Sequence, residues 1–312
     1  MGRARLGLMS AAPSACLAGR RGKRRGPATE FTAASGWAFS FTYLYDDVSP
    51  SHQAVRGVPG GDGVYESFAV LAGRLGYGFE AQRVDDQDAV WAFVRRHIDA
   101  GTPILGEHFD GGLICGYRQA DETREVWYAS TAFTGWVDIA KLNPLEACVL
   151  VKEGEGLPRE QLYREALRRA VRLASPGADG RGVPSGLEAL WAYAADVADP
   201  WKGFAQTGGR WFRWAGFERL SARACCAVWL QSAAEVLGRD ARQPLLDAAA
   251  EYGRAADLYH SFWVALRGLA DEGDELARSP EKIATIAPLL EQAVAHEEAG
   301  LAAMQEALAA LQ

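Results

Sequence analysis

GTPILGEHFDGGLICGYRQADETREVWYASTAFTGW, residues 101–136, is the stretch whose reading decides the fold. Gly101-Thr-Pro103 is a turn feeding a strand at Ile104 and Leu105. Asp110-Gly111-Gly112 turns into a second apolar run, Leu113-Ile114-Cys115, closed by Gly116-Tyr117. After a polar turn at Ala120-Asp121-Glu122-Thr123 comes a third run, Glu125-Val126-Trp127-Tyr128. Short runs rich in β-branched and aromatic residues, separated by Gly and Asp turns, predict an antiparallel meander.

Outward from the meander, the pattern changes near residue 155. Before it, Ala38 to Tyr43 alternates small and aromatic residues, a strand signal. Residues 64–75 carry apolar side chains at helical spacing and stop before Gly76. Gln87 to Ala100 places Val90, Trp91, Phe93, Val94 and Ile98 on one helical face, and Cys148 to Val151 reads as a last strand. From Leu157 onward the periodicity is helical. Glu160–Leu173 is amphipathic, Ser185-Gly-Leu-Glu188 has capping-box spacing, and helices are expected over Leu187–Val197, Phe217–Leu237 and Pro244–Leu269. Ser279-Pro280 opens a last helix that Pro288 should kink or divide. The expected fold class is therefore α+β: a mixed domain over 30–152 with an antiparallel sheet, then an all-α helical bundle over 156–312.

Composition bounds the function. Of 312 residues 49% are hydrophobic and 23% charged, which describes an ordinary globular chain. Residues 1–29 form a basic leader, expected to be disordered or a displaced part of the domain. Its seven basic residues, Arg3 to Arg25, taken from the 33 in the chain leave 26 against 40 acidic ones, a balance of −14. A body so acidic argues against nucleic acid as a partner. No apolar run approaches the roughly 20 residues that span a bilayer, so no membrane partner is expected. Five cysteines, odd in number and without a C-x-x-C pair, fit a reducing cytoplasm. Cys225 and Cys226, adjacent on a helix, point about 100° apart and would not bridge each other.

Other chemistry-bearing patterns are weak. Gly57-Val-Pro-Gly-Gly-Asp-Gly63 lacks the Gly-Lys-Ser/Thr end of a phosphate-binding loop. Glu251, His260, His296, Glu297 and Glu298 lack the Glu-x-x-His spacing of a di-metal bundle, so no metal or cofactor is expected. Cys115, inside an apolar strand, reads as a buried, inert thiol. Trp201, Phe204, Trp211, Phe212, Trp214 and Phe217 form an aromatic group suited to core packing or a cleft.

Taken together, Ser35-Gly-Trp-Ala-Phe-Ser-Phe41, the Gly-x-Pro strand, the Gly-Tyr strand end and the helical tail resemble the family of butirosin biosynthesis protein H. The resemblance spans residues 15–312 and rests on the order and spacing of these elements. It implies a papain-like N-terminal domain related to the double-glycine leader peptidases, and a cysteine nucleophile about twenty residues before the Gly-x-Ala-Phe element. Cys16 lies at that place. The family's histidine would fall six residues before Gly116, at Asp110, and its orienting acid near Ala129 or Ser130. His108 is the nearest imidazole. The implied catalytic set is thus Cys16, His108 and Asp110, with Trp37, Glu107 and Tyr117 toward the substrate.

Three functions follow from this resemblance. The first is acyl transfer from an acyl carrier protein thioester to an amine in secondary metabolism, without a cofactor. The second is a catalytically degenerate module that binds a peptide or small molecule along Trp37, Asp110 and Tyr117. An active cysteine peptidase is the third and least favoured, because Asp110 cannot act as an imidazole.

Overall fold

The structure is a computed structural model. It describes residues 34, 37–39, 70–106, 112–120, 122–129, 134–142, 145–178, 184–199, 210–271 and 280–312. Among these, two compact units part between Leu157 and Pro158. One, residues 70–157, is built on a sheet. The other holds Ala34, Trp37–Phe39 and everything described from Pro158 on. The fold is α+β, and no described helix is long and apolar enough to cross a membrane.

In the sheet unit, β1 (Tyr77–Val84) leads to α1 (Gln87–Asp99), followed by β2 (Ile104–Gly106), β3 (Gly112–Ala120), β4 (Thr123–Ala129), β5 (Thr134–Asp138) and β6 (Leu145–Lys152). Six strands form one sheet in the order β1-β6-β2-β3-β4-β5, and every neighbouring pair is antiparallel. α1 forms where its apolar spacing predicts. Asp86 caps it by accepting the Ala89 amide at 2.8 Å. Gly101, at φ 75°, ends it in the left-handed conformation common after helices. Val90, Phe93 and Val94 pack on Ile104, Ile114, Val126 and Val149 to make the core of this unit.

The entry and exit of the unit run side by side. β1 pairs with β6 along its whole length, and the amides of Glu153 and Gly154 donate to the Gly76 carbonyl at 3.0 and 3.1 Å. Gly76 has φ 79°, and a Cβ there would meet the Gly154 carbonyl. The glycine thus ends the preceding helical turns, residues 70–74, and lets the exiting chain close on the entering one.

β3 contains a departure that alternation does not reveal. Ile114 pairs with Tyr128 and Gly116 with Trp127, so Cys115 is the extra residue of a β-bulge. Strict alternation from Ile114 would turn Gly116 and Arg118 to the core. The bulge resets the phase and turns Tyr117 inward instead. Cys115, expected to be buried, is consequently exposed.

The helical unit comprises α2 (Arg159–Ala174), α3 (Leu187–Ala198), α4 (Arg210–Val236), α5 (Arg239–Asp271) and α6 (Pro280–Ala309). A two-stranded pair, β7 (Gly177–Ala178) and β8 (Pro184–Ser185), joins α2 to α3. α5 lies between α4 and α6 and packs on both. Gly300 of α6 sits so close to the Tyr252 ring of α5 that a Cβ would lie 2.9 Å from it.

Several sequence expectations are corrected here. The capping box at Ser185 does not form: Ser185 belongs to β8, and Gly186 precedes α3 with no side-chain cap. α6 is continuous through Pro288 rather than divided. α4 begins at Arg210, ahead of the expected Phe217, and α5 at Arg239, with Pro244 inside it. β1 and β5 were not expected at all.

The most consequential correction concerns residues 37–39. Ala38 and Phe39, expected to open a strand in the α+β domain, lie with Trp37 in a 3-10 turn of the helical unit. Phe39 is buried edge-on against Trp229 (5.9 Å between centroids) and Tyr252 (5.3 Å). Alternating small and aromatic residues serve such packing as readily as they serve a sheet, and the interactions of the turn come from helices some 190 positions away.

Candidate functional site

Of the residues singled out for catalysis and substrate contact, Cys16, Glu107, His108 and Asp110 lie outside the described residues, as do Ser130 and the side chains of the aromatic group from Trp201 to Phe217. β2 and β3 remain paired as far as Gly106 and Gly112, which flank Glu107, His108 and Asp110 in sequence. Trp37 lies in the 3-10 turn of the helical unit.

Tyr117 is fully defined. Its ring lies edge-on to Trp91 at 5.3 Å, and its hydroxyl donates to Asp99 Oδ1 at 2.6 Å. The Arg95 guanidinium sits 5.9 Å from the ring centroid. These contacts bind β3 along the length of α1, so the hydroxyl is already engaged within the fold.

The opposite face of the sheet carries Cys115, Arg118, Trp127 and Trp136. The two indoles meet edge-on at 5.3 Å. Arg118 stacks over Trp136 at 4.3 Å while its Nε donates to Glu125 Oε2 at 2.6 Å. The Cys115 thiol approaches the Trp127 carbonyl at 3.8 Å. Partial burial pushes its pKa up, which favours the thiol over the nucleophilic thiolate.

The most strongly perturbed groups lie in the helical unit. Arg223 on α4 and Glu297 on α6 are almost fully excluded from solvent, at 0% and 2% exposure. Arg223 Nε donates to Glu297 Oε1 at 2.8 Å. Its Nη2 lies 2.7 Å from Oε2, an ion-pair contact whose angle falls short of a hydrogen bond. Tyr259 on α5 donates its hydroxyl to the same Oε1 at 2.6 Å. The third arm of the guanidinium, Nη1, donates to the main-chain carbonyl of Ala38, which the Cys226 thiol also approaches at 3.3 Å. The Tyr252 hydroxyl is buried nearby and has no hydrogen-bond partner among the described residues.

Electrostatics follow from this geometry. Burial alone would lower the Arg223 pKa, but the charge and hydrogen bond of Glu297 outweigh it and hold the guanidinium above its ordinary range. Tyr252 and Tyr259 are pushed well above the usual phenol value, first by burial and then by the Glu297 carboxylate. Arg223 and the two tyrosines therefore keep their neutral-pH protonation states firmly. That suits a fixed polar anchor better than a proton relay.

Beside this cluster, His296 Nδ1 lies 2.6 Å from Glu251 Oε2, on a half-exposed flank. Among the described residues no three His, Cys, Asp or Glu side chains converge as metal ligands. Cys226 carries a thiol, whereas Cys225 is disulfide-bonded. The adjacent pair do not bridge each other, but the disulfide departs from the expectation of wholly reduced cysteines.

No protein-family model matches this chain, and no curated protein matches it.

Sequence reading missed Arg223, Cys226 and Glu297 as a group. One signal was present. Ala293, Val294, Glu297, Leu301 and Met304 recur at helical spacing, so Glu297 occupies a position of the apolar stripe. A charge on that stripe implies a buried partner, but nothing local identifies Arg223, 74 positions away.

Proposed function

We propose that this chain is a butirosin-biosynthesis-protein-H-like protein of natural-product metabolism. Its sheet unit belongs to a papain-like domain, and it transfers an acyl group from a carrier-protein thioester to an amine. The observation that carries this reading is the all-antiparallel sheet in which β2 and β3 end as a pair on either side of Glu107, His108 and Asp110. That is the strand end at which the resemblance calls for the proton-handling group.

In the proposed reaction the Cys16 thiol gives its proton to His108 and its sulfur attacks the thioester carbonyl. The carrier thiol departs with that proton, leaving an acyl group on Cys16. The amine then attacks this carbonyl, the amide forms, and the Cys16 thiolate leaves and recovers a proton from the amine by way of His108. The resemblance assigns Asp110 to the imidazole's partner, and Trp37, Glu107 and Tyr117 to substrate contact.

The test is intact-mass analysis after mixing the protein with an acylated carrier protein. An acyl adduct that maps to Cys16, disappears in Cys16→Ser and is discharged by an amine supports the reading. Absence of any adduct overturns it.

One specific observation favours a second reading. Asp110 stands where the resemblance implies a histidine, as it would in a catalytically degenerate module that only binds the acylated carrier, a peptide or a small molecule. Saturable binding of the acylated carrier without adduct, weakened in Asp110→Ala, identifies that case. Peptide hydrolysis is least favoured for the same reason.

A further inference from the structure

We infer that the core of the helical unit contains an internal solvent site: one water molecule, bound by the Tyr252 hydroxyl, Arg223 Nη2 and Glu297 Oε2. The site lies wholly among described residues of α4, α5 and α6 and is independent of the reaction proposed above.

Two polar atoms point to it. Tyr252 is fully buried, and its hydroxyl has no hydrogen-bond partner among the described residues. Arg223 is fully buried as well, and its Nη2 touches Glu297 Oε2 at 2.7 Å without hydrogen-bond alignment. A buried polar atom gives up its hydration on folding and needs a partner to recover the loss. Glu297 completes the set. Its Oε1 accepts from both Arg223 Nε and Tyr259, whereas among the described residues Oε2 has only the misaligned contact with Nη2.

Tyr252 belongs to this cluster by position. It precedes Tyr259 on α5 by seven residues, about two turns, so both present to one face of the helix. Tyr259 reaches Glu297 from that face. The electrostatics agree: after burial, Glu297 and Cys226 raise the Tyr252 pKa while Arg223 lowers it. The ring is also held in place. Phe39 meets it edge-on at 5.3 Å. Gly300, one turn beyond Glu297 on α6, comes so near that a Cβ there would lie 2.9 Å from Cε2. A phenylalanine would fill the same space with no hydroxyl to satisfy.

These three groups define the chemistry of the guest. It accepts a hydrogen bond from Nη2, donates one to Oε2, and exchanges one with the phenol. Arg223 and Glu297 cancel in charge, and both tyrosines stay neutral. An anion would therefore meet the carboxylate, and a cation the guanidinium, with no net charge to hold either. A neutral molecule that both donates and accepts is required. Water is the smallest, and buried waters typically take about three partners. Through it α5 is tied to the ion pair at two points, directly by Tyr259 and by way of the water at Tyr252.

A high-resolution crystal structure of the full chain tests this directly. The expected result is one ordered water within hydrogen-bond distance of the Tyr252 oxygen, Arg223 Nη2 and Glu297 Oε2. A Tyr252 hydroxyl bonded to a protein group, or packed against apolar atoms alone, overturns the inference. So does an anomalous peak at that place in crystals grown with bromide, which would identify an anion. Tyr252→Phe gives the solution counterpart. If the hydroxyl is bonded through water, its removal lowers the melting temperature by about 2–4 °C, the equivalent of one net hydrogen bond. If the hydroxyl is an orphan, its removal relieves a desolvation cost, and an unchanged or raised melting temperature therefore overturns the inference as well.

Discussion

Tyr259 and Glu297, on neighbouring helices of the bundle, are joined by a 2.6 Å hydrogen bond from the phenol to Oε1, at a point where neither residue is more than 2% exposed. The same oxygen accepts from Arg223 Nε. A carboxylate so placed leaves the guanidinium stranded if it is removed.

Glu297→Ala therefore should destabilise the helical unit by about 3–5 kcal/mol, the usual penalty for orphaning one partner of a buried ion pair. Tyr259→Phe removes a single hydrogen bond to a charged acceptor and should cost about 1.5–3 kcal/mol. Urea titrations followed by circular dichroism measure both, and a loss under 1 kcal/mol for Glu297→Ala would contradict the buried pairing.

The two tyrosines set an alkaline limit. Their folded-state pKa values are raised above the ordinary 10.0. The folded protein thus keeps protons that the unfolded chain gives up above pH 10, and stability falls as pH rises through that window. The slope should approach about 1.4 kcal/mol per pH unit for each tyrosine. Arg223, held above its ordinary value, stays charged throughout and contributes no loss below that range. Melting temperatures from pH 8 to 11.5 should decline beyond pH 10, and less steeply in Tyr252→Phe.

Two thiols should behave oppositely. Cys115 is exposed at the bulge of β3, while Cys226 is buried. Iodoacetamide on the native protein should modify Cys115 and spare Cys226, as read by peptide mass. Because partial burial raises the Cys115 pKa above 9.0, its labelling rate should still be climbing at pH 9. Rapid native labelling of Cys226 would contradict the packing around Ala38.

Two glycines of the sheet unit separate backbone strain from collision. Gly101 has φ 75° with open space where a Cβ would be, so Gly101→Ala should cost about 1 kcal/mol. Gly76 has a similar φ of 79°, but its Cβ would lie 2.8 Å from the Glu155 carbonyl carbon. Gly76→Ala should cost roughly 2 kcal/mol or more. Equal melting-temperature losses in the two variants would show that the β1–β6 closure is looser than described.

Much of the secondary structure was legible locally. The α1 face (Val90, Trp91, Phe93, Val94), the strands at Ile104, Leu113 and Val126, and the helix around Glu160–Leu173 all declare themselves through periodicity, because one face of each meets a core. β1 was not legible: Gly76-Tyr-Gly-Phe-Glu has two glycines and reads as loop, and its pairing comes from β6, some 70 positions later. The β3 bulge was hidden because an extra residue leaves composition unchanged while reversing which side chains face inward.

For the candidate site, the resemblance alone implies Cys16, His108 and Asp110, which lie outside the described residues, and Tyr117 acquired its hydrogen-bonded place only once α1 was packed on the sheet. The amino-acid order by itself determined the α+β class, the antiparallel meander and the long helices of the second unit. Each depends on patterns within a few turns of chain. Only the tertiary structure decided that residues 37–39 join the helical unit and that Cys115 faces outward. It also decided that Arg223, Glu297 and Tyr259 share one buried oxygen. These outcomes depend on desolvation and on partners distant in the chain, 74 positions apart for Arg223 and Glu297 and 185 for Arg223 and Ala38, and no local pattern encodes such a partner.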